Sequence, residues 1–383
     1  MKASHLKLMT ASAFALGLGT AAHAGDFAQA AYTTPLADVC PNPLVIQKDW
    51  LMQAEHGGLM QLIGAGGEMV SGSYSGPLGS TGITLELLEG GSGIGLGDGE
   101  TSYSALFMGN SKAGKRPHLG FHELDNSFIY SERFPTVGVF VPLDVSPQVL
   151  FWDKGTYPDG FKTIEDLKAF GASGKGKIYL STIDRTFGKF FVDSGVPADT
   201  FVEGYRGDGE NFVVNNGTWL NQGFVTSEVY KFENGNNWSK PIGAVGINDL
   251  GYPNYTGILA VAKDRLEELA PCLEKVVPLM QQASIDYIKD PAEVLDVVVA
   301  FNEGGFGTGW WKTSPELAAN GAKKMGELGI VGNGNNDTVG DFDMEIAAQM
   351  AVVVAPSLDE RSDMDVTPQD VVTNRFIDPS IGF

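Results

Sequence analysis

Residues 163–180 read TIEDLKAFGASGKGKIYL, and the order of structural signals in this stretch decides the fold. Thr163 and Asp166 are side chains of the kind that cap the first turn of a helix, where backbone amides have no partner within the helix. The apolar run Ile178-Tyr179-Leu180 that follows is typical of a buried strand. A helix that leads into a buried strand is a component of a βαβ unit.

The same alternation continues on both sides of this stretch. Further helix starts combine a capping side chain with a proline, because a proline in the first turn gives up no hydrogen bond. These starts lie at Asp290-Pro291, Ser314-Pro315 and Thr367-Pro368. Short apolar runs predict strands at 44–47, 83–87, 117–121 and 137–141. The chain is therefore predicted to be α/β, with a mostly parallel sheet in each folding unit.

The chain is long enough for two folding units, since 383 residues exceed the size of one ordinary domain core. Turn-rich junctions at 142–147 and 247–255 are the best places for the chain to cross between them. We expect one lobe to comprise 25–145 together with 251–383, and the other to comprise 146–250. Two crossover strands at these junctions would form a hinge about which rigid lobes close on a ligand.

The N-terminal segment has the features of an export signal. Lys2 and Lys7 flank the start of an apolar run, 8–18, and Ala22-His23-Ala24 supplies small residues for cleavage. We expect 1–24 to be a signal peptide and the mature protein to lie in the periplasm. Gly25 rather than a cysteine follows the predicted cleavage point, so no lipid anchor is expected there.

Net charge and cysteine content narrow the partners further. The formal net charge is −21, and it becomes −23 without 1–24, which hold two lysines and no acid. Nucleic acids and anionic lipids bind basic patches, so neither is an expected partner. Cys40 and Cys272 are the two cysteines, and an oxidising compartment favours a disulfide over the alternative of two buried thiols. No metal site is expected at either cysteine.

Three stretches of the chain resemble the substrate-binding proteins of the nitrate, sulfonate and thiamine-precursor ABC importers. They are Asp49-Trp50 after the first strand with His56 close behind, 163–167 ahead of 177–180, and a helical run from 259–261 through 290–291. The resemblance covers roughly 44–329 and implies the two-lobed type II periplasmic binding protein fold. It also implies a small-molecule solute as ligand and an ABC permease in the inner membrane as partner. A Gly- and Ser-rich segment at 63–83 departs from the family pattern and indicates a divergent branch.

Candidate ligand-binding residues follow the predicted strands, because ligands in such folds lie at the carboxyl ends of strands. In the first lobe they are Trp50, Glu55, His56, Ser92, Gly93, His122 and Glu123, and in the second they are Thr182, Thr226, Glu228, Asn248 and Asp249. Trp50 could stack on a planar ligand, and His56 could exchange a hydrogen bond with it. Ser92 and Gly93 lie in a glycine-rich run whose amides could approach a carbonyl or anionic group. A core aromatic, a histidine that caps a turn and a solvated loop are the alternative interpretations.

The charges of these loops bear on the ligand. Carboxylates occur at Glu55, Glu123, Glu228 and Asp249, against one arginine, Arg185. Because arginine forks commonly clamp sulfonates and carboxylates, this balance favours an amine or an N-heteroaromatic ligand over an inorganic anion.

We therefore expect the solute-binding subunit of an ABC importer, a monomer without catalytic residues, metal or cofactor. A ligand-sensing module for a membrane receptor is one alternative, and a periplasmic enzyme of the pyrimidine-precursor synthase type is another. The enzyme is disfavoured because the five histidines are scattered and no serine lies in a nucleophile elbow. The Asn and Asp residues of 333–343 lack the calcium-binding spacing of an EF-hand.

Overall fold

The computed structural model describes residues 26–70, 72–91, 101–108, 116–183, 186–205, 207, 209–235, 238–303, 312–358 and 365–383. Its strands are β1 Leu44–Gln47, β2 Glu68–Val70, β3 Ser73–Pro77, β4 Thr84–Leu88, β5 Leu119–His122, β6 Thr136–Phe140, β7 Gln148–Asp153, β8 Ile178–Leu180, β9 Phe201–Glu203, β10 Leu220–Phe224, β11 Ile242–Gly246 and β12 Ile258–Ala262. The predicted signal peptide, Ser92, Gly93 and Arg185 lie outside the described residues.

The strands form two separate sheets, which are the cores of the two lobes. The first sheet has the order β2-β3-β4-β1-β5-β12-β6, and the second has the order β11-β7-β10-β8-β9. In the first sheet, β1 runs parallel to β4 and β5, and in the second sheet β8 runs parallel to β9 and β10. The remaining pairs are antiparallel.

Both sheets are thus mixed, where the sequence predicted mostly parallel ones. Two features of the chain path reverse the strand direction. In the first sheet, β2, β3 and β4 are consecutive antiparallel neighbours joined by short turns, which add a meander to the parallel pairs. The strands next to the crossovers, β7 and β12, also pair antiparallel with all their neighbours.

The chain crosses between the sheets at 141–147, from β6 to β7, and again at 247–257, from β11 to β12. The two crossing segments contact each other, because the Thr256 hydroxyl lies 3.2 Å from the Ser146 hydroxyl. The second segment also bonds to the first lobe, where the Asp125 amide donates to the Asn254 side chain at 3.1 Å.

Helices cover the faces of both sheets. They are α1 Asp26–Ala31, α2 Gly57–Gln61, α3 Ser102–Met108, α4 Leu124–Ile129, α5 Ile164–Ser173, α6 Thr186–Asp193, α7 Glu210–Val214, α8 Glu228–Asn234, α9 Leu266–Lys289, α10 Ala292–Phe301, α11 Pro315–Glu327, α12 Met344–Leu358 and α13 Pro368–Val371. The predicted capping pairs at Thr163 and Thr367 are both formed, each with the aspartate three residues on. Within the described ranges, no helix is both long and apolar enough to cross a membrane.

The two cysteines join distant parts of the first lobe. Cys40 and Cys272 form a disulfide with a Cα–Cα distance of 4.6 Å, as the sequence predicted. Cys40 precedes β1 and Cys272 lies in α9, so the bond links the segment before the first strand to a 24-residue helix that covers the sheet. Both cysteines belong to the apolar core of this lobe.

Helix α12 contacts both lobes. Its buried residues Met350 and Val354 share one apolar cluster with Phe128 of α4, in the first lobe, and with Phe187 of α6, in the second. A cavity of about 240 Å³ lies beside α12, between α4 and α6. The lobes are therefore joined by packing as well as by the two crossing segments.

Candidate functional site

A cavity with a volume of about 290 Å³ lies near the strand ends, between the two sheets. It collects the residues that follow β1, β5, β8, β9 and β10, each of which takes part in a parallel pair. Its walls are Asp49, Trp50, Gln53, Glu123, Asn126, Gln148, Ser181, Thr182, Phe187, Tyr205, Gly207, Gln222, Gly223, Phe224, Ser227 and Glu228. A cavity at this edge of two α/β lobes has the position expected of a ligand site.

The segment after β1 is held by backbone bonds to a glycine turn. The amides of Gly90 and Gly91 donate to the carbonyls of Trp50 and Asp49, at 3.1 and 2.9 Å. A Cβ atom at Gly90 would lie 2.3 Å from the Trp50 nitrogen, so only glycine permits this approach. The turn thereby fixes both side chains of the Asp49-Trp50 pair at the cavity wall.

Asp49 is oriented by a buried histidine. The Nε2 atom of His56 lies 3.0 Å from Oδ1 of Asp49, and the His56 side chain is almost fully buried while Asp49 is about one-third exposed. Burial lowers the pKa of His56, so the imidazole is neutral near pH 7 and donates its Nε2 proton to the carboxylate. His56 thus acts on the site through Asp49 and does not itself line the cavity.

Glu123 and Asn126 form the second polar pair of the first lobe. Glu123 precedes α4, and its Oε2 accepts a hydrogen bond of 2.7 Å from Nδ2 of Asn126. Asn126 is only 7% exposed, and its Oδ1 has no hydrogen-bond partner within the described part of the chain. A buried amide oxygen that accepts no hydrogen bond costs free energy, so we expect a ligand to donate a hydrogen bond to this wall of the cavity.

The second lobe contributes Glu228, the first residue of α8. Its Oε2 accepts hydrogen bonds from the Phe224 amide at 2.7 Å and from the Ser227 hydroxyl at 2.6 Å. Behind it, burial lowers the pKa of Lys231, while the charges of Glu228 and Glu55 oppose that shift. Glu228 is 4% exposed, so its carboxylate is held in one position at the end of β10.

Aromatic side chains complete the walls on both sides. Trp50 comes from the first lobe, and Phe187, Tyr205 and Phe224 come from the second. Tyr205 is braced edge-on by Tyr179, with a ring-centroid distance of 5.6 Å. Rigid aromatic faces attract cations and pack on planar groups.

The charged groups among the described wall residues all have the same sign. Asp49, Glu123 and Glu228 line the cavity, and none of its described lining residues is Lys, Arg or His. Groups of three or more side chains that could hold a metal ion are also absent from the described ranges. The arrangement suits an organic ligand that donates hydrogen bonds and carries positive charge.

Of the residues that the sequence singled out, the cavity contains Trp50, Glu123, Thr182 and Glu228. Six others are described but do not line it: Glu55, His56, His122, Thr226, Asn248 and Asp249. Glu55 and Thr226 are both buried and bond to each other across the lobes. Asn248 donates to the Asn254 carbonyl within the second crossing segment at 3.3 Å.

His122 lies at the end of β5 but is 2% exposed and packs edge-on against Tyr103 at 5.2 Å. Successive side chains along a strand point to opposite faces of the sheet, and this alternation turns His122 toward Tyr103 and away from the cavity. The residues that sequence reasoning left out of the site include Gln53, Gln148, Phe187, Tyr205, Gln222 and Phe224. Gln148 begins β7 and Gln222 lies within β10, so a rule that looks only after strands misses them.

This architecture, two mixed α/β lobes with a ligand-sized cavity between them, is the two-lobed type II periplasmic binding protein fold. No protein-family model and no curated protein matches the sequence, so the comparison rests on solved structures. They confirm the fold that the sequence predicted.

Three of these structures are informative. The periplasmic aliphatic sulphonate-binding protein SsuA of Escherichia coli has a TM-score of 0.55 and 13% identity, over 87% of this chain and 92% of that chain. The alkanesulfonate-binding protein SsuA of Xanthomonas axonopodis pv. citri, bound to MOPS, has a TM-score of 0.52 and 11% identity, over 87% and 99%. The periplasmic nitrate-binding protein NrtA of Synechocystis PCC 6803 has a TM-score of 0.52 and 10% identity, over 88% of each chain.

Proposed function

We propose that this protein is the extracytoplasmic solute-binding subunit of an ABC importer, and that its solute is a small organic amine or N-heteroaromatic cation. One observation carries the proposal: three carboxylates and four aromatic rings line a cavity between the lobes, and its described lining has no basic side chain. The fold supports the role, because the similar structures are named as binding components of import or as periplasmic binding proteins.

The charge of the cavity decides between ligand classes. An anion about 4 Å from one carboxylate meets a repulsion of about 4 kcal/mol at an effective dielectric constant near 20, and a cation gains as much. Because three carboxylates line the walls, the total electrostatic preference for a cation over an anion is larger than for one carboxylate. The solved relatives that are named for sulfonate or nitrate bind anions, so we expect the ligand class of this chain to differ from theirs.

We propose that capture involves closure of the lobes about the two crossing segments. The lobes would be 25–145 with 251–383, and 146–250. The hydrogen bond between Ser146 and Thr256 keeps the two segments together at the axis of this motion. Ligand stabilises the closed state only to the extent that it binds that state more tightly, and carboxylates on both lobes provide this preference. The closed protein, a periplasmic monomer, would then dock on its permease.

The test is a thermal-shift screen of the protein against alkylamines, aminopyrimidines, sulfonates, nitrate and dicarboxylates, followed by calorimetry on the compounds that shift the melting temperature. A ligand at about one hundred times its dissociation constant should add about 2.7 kcal/mol of stability. We expect shifts with the amine or aminopyrimidine class alone.

Two variants locate the binding. Trp50→Ala removes an aromatic wall of the cavity and should weaken binding by about tenfold or more, a loss of about 1.4 kcal/mol. Phe27→Ala removes an aromatic ring that is 47% exposed and outside the cavity, and should leave affinity unchanged. Stabilisation by sulfonate, nitrate or dicarboxylate without amine binding would overturn the proposed ligand class.

A further inference from the structure

The carboxylates of the cavity fall into two groups, one on each lobe. Asp49 and Glu123 belong to the first lobe and follow β1 and β5, whereas Glu228 belongs to the second lobe and follows β10. A sphere with the volume of the cavity, about 290 Å³, is about 8 Å across. The two groups therefore face one small volume from its opposite walls.

Each carboxylate is already held by a donor from the protein. His56 bonds to Asp49 at 3.0 Å, and Asn126 bonds to Glu123 at 2.7 Å. Glu228 uses its Oε2 for the Phe224 amide and the Ser227 hydroxyl. Fixed carboxylates lose little side-chain entropy when a ligand binds, so each end of the cavity is organised in advance to accept a nitrogen donor.

A second feature points to a donor at the first-lobe end. The buried Oδ1 of Asn126 has no hydrogen-bond partner among the described residues, and Asn126 lines the cavity beside Glu123. One ammonium group carries three N–H donors and could bond to both of these side chains together.

A lysine lies behind the carboxylate of the second-lobe end. Lys231 is within electrostatic reach of both Glu228 and Glu55, and burial lowers its pKa. Lys231 does not line the cavity, whereas Glu228 does. Among the described lining residues Glu228 meets no basic side chain, so a positive group on the ligand would suit it from the cavity side.

We propose that the ligand is a diamine, with one ammonium bound by Asp49, Glu123 and Asn126 in the first lobe and the other bound by Glu228 in the second. This inference rests on the proposed function and narrows its ligand class. A molecule with two positive ends bonds to both lobes at once and stabilises the closed state more than a molecule with one. The aromatic rings of Trp50 and Phe187 pack on the carbon chain between the ends.

The test compares propane-, butane- and pentanediamine with propyl-, butyl- and pentylamine by calorimetry on the full chain. The best diamine should bind at least about tenfold more tightly than the monoamine of the same chain length. Glu228→Gln should reduce this ratio to near one by weakening the diamine and sparing the monoamine. The ratio is unaffected by a uniform loss of folded protein, and a melting curve of each variant confirms folding.

Glu210→Gln is the matched control, because Glu210 is also the first residue of a helix in the second lobe but is exposed and lies outside the cavity. It should leave the ratio unchanged. Glu123→Gln is a second variant that should weaken the diamine and the monoamine together, since it removes a carboxylate from the end that Glu228→Gln leaves intact. Equal affinity of the protein for diamines and monoamines would overturn the two-ended site and leave the proposed function standing. Absence of binding by any amine or aminopyrimidine would overturn the two-ended site and the proposed ligand class together.

Discussion

Replacing His122 with leucine should make the protein more resistant to acid. His122 is 2% exposed at the end of β5, and burial lowers its pKa to about 3. In the unfolded chain its pKa is near the ordinary 6.5. Between these two values the unfolded state binds a proton that the native state does not, so stability is lost as pH falls through 6.5 toward 3.

The size of the effect follows from the difference between the two pKa values. At about pH 5 the unfolded histidine is protonated and the native one is neutral, which costs about 2 kcal/mol relative to about pH 7, at 1.36 kcal/mol for each pKa unit. Leucine has nearly the volume of histidine and no proton to bind. The His122→Leu variant should therefore gain about 2 kcal/mol on the wild type over this pH range.

The assay is urea unfolding, followed by tryptophan fluorescence, of both proteins at several pH values. Burial also lowers the pKa values of His56 and His118, and raises those of Glu55 and Asp144. These groups titrate in both proteins, so the difference between the two curves isolates His122. A difference that stays constant from neutral to acid pH would refute the reasoning, because it would mean that His122 keeps an ordinary pKa and meets solvent.

Two further predictions concern the turn at the cavity and the disulfide. Gly90→Ala should displace Trp50 and thereby weaken amine binding by about tenfold or more. Gly235→Ala should leave the affinity unchanged, because a Cβ there meets its nearest atom at 3.5 Å. Calorimetry measures the affinity of both variants and circular dichroism confirms that they fold; unchanged affinity of Gly90→Ala would contradict the prediction. Replacing both Cys40 and Cys272 with serine should lower the free energy of unfolding by about 2 to 5 kcal/mol, because the disulfide closes a loop of 232 residues in the unfolded chain. Denaturant titrations of the variant and of the oxidised wild type measure this loss. Coincident unfolding curves would contradict the prediction.

The fold was accessible from the sequence because its signals are local. Ile178–Leu180 is a short apolar run that is buried on both faces of the sheet. Thr163 and Asp166, three residues apart, together cap the helix that precedes it. Strand direction is not local in this sense. The direction of β7 and β12 relative to their neighbours depends on how the chain returns between the lobes. The residues of these two strands carry no sequence signal for that path.

The candidate site was predictable only in part, for a related reason. Trp50, Glu123, Thr182 and Glu228 follow strands, and the carboxyl ends of parallel strands gather at one edge. Glu55 also follows β1, yet it bonds to Thr226, which is 171 residues away in the sequence. A buried pair of this kind satisfies itself across the lobes, and only the folded structure brings the two partners together.

Helix α12 has a consequence for how ligand affinity is set. Phe187 of α6 lies in the wall of the ligand cavity, and Phe190, one turn further along the same helix, lies in the cavity beside α12 with Val354. A larger or smaller side chain at Val354 would change how α6 seats against the first lobe, and with it the fraction of molecules that are closed before ligand arrives. The apparent dissociation constant scales inversely with that fraction. Substitutions in α12, whose residues do not contact the solute, can therefore change the affinity of this protein for its ligand.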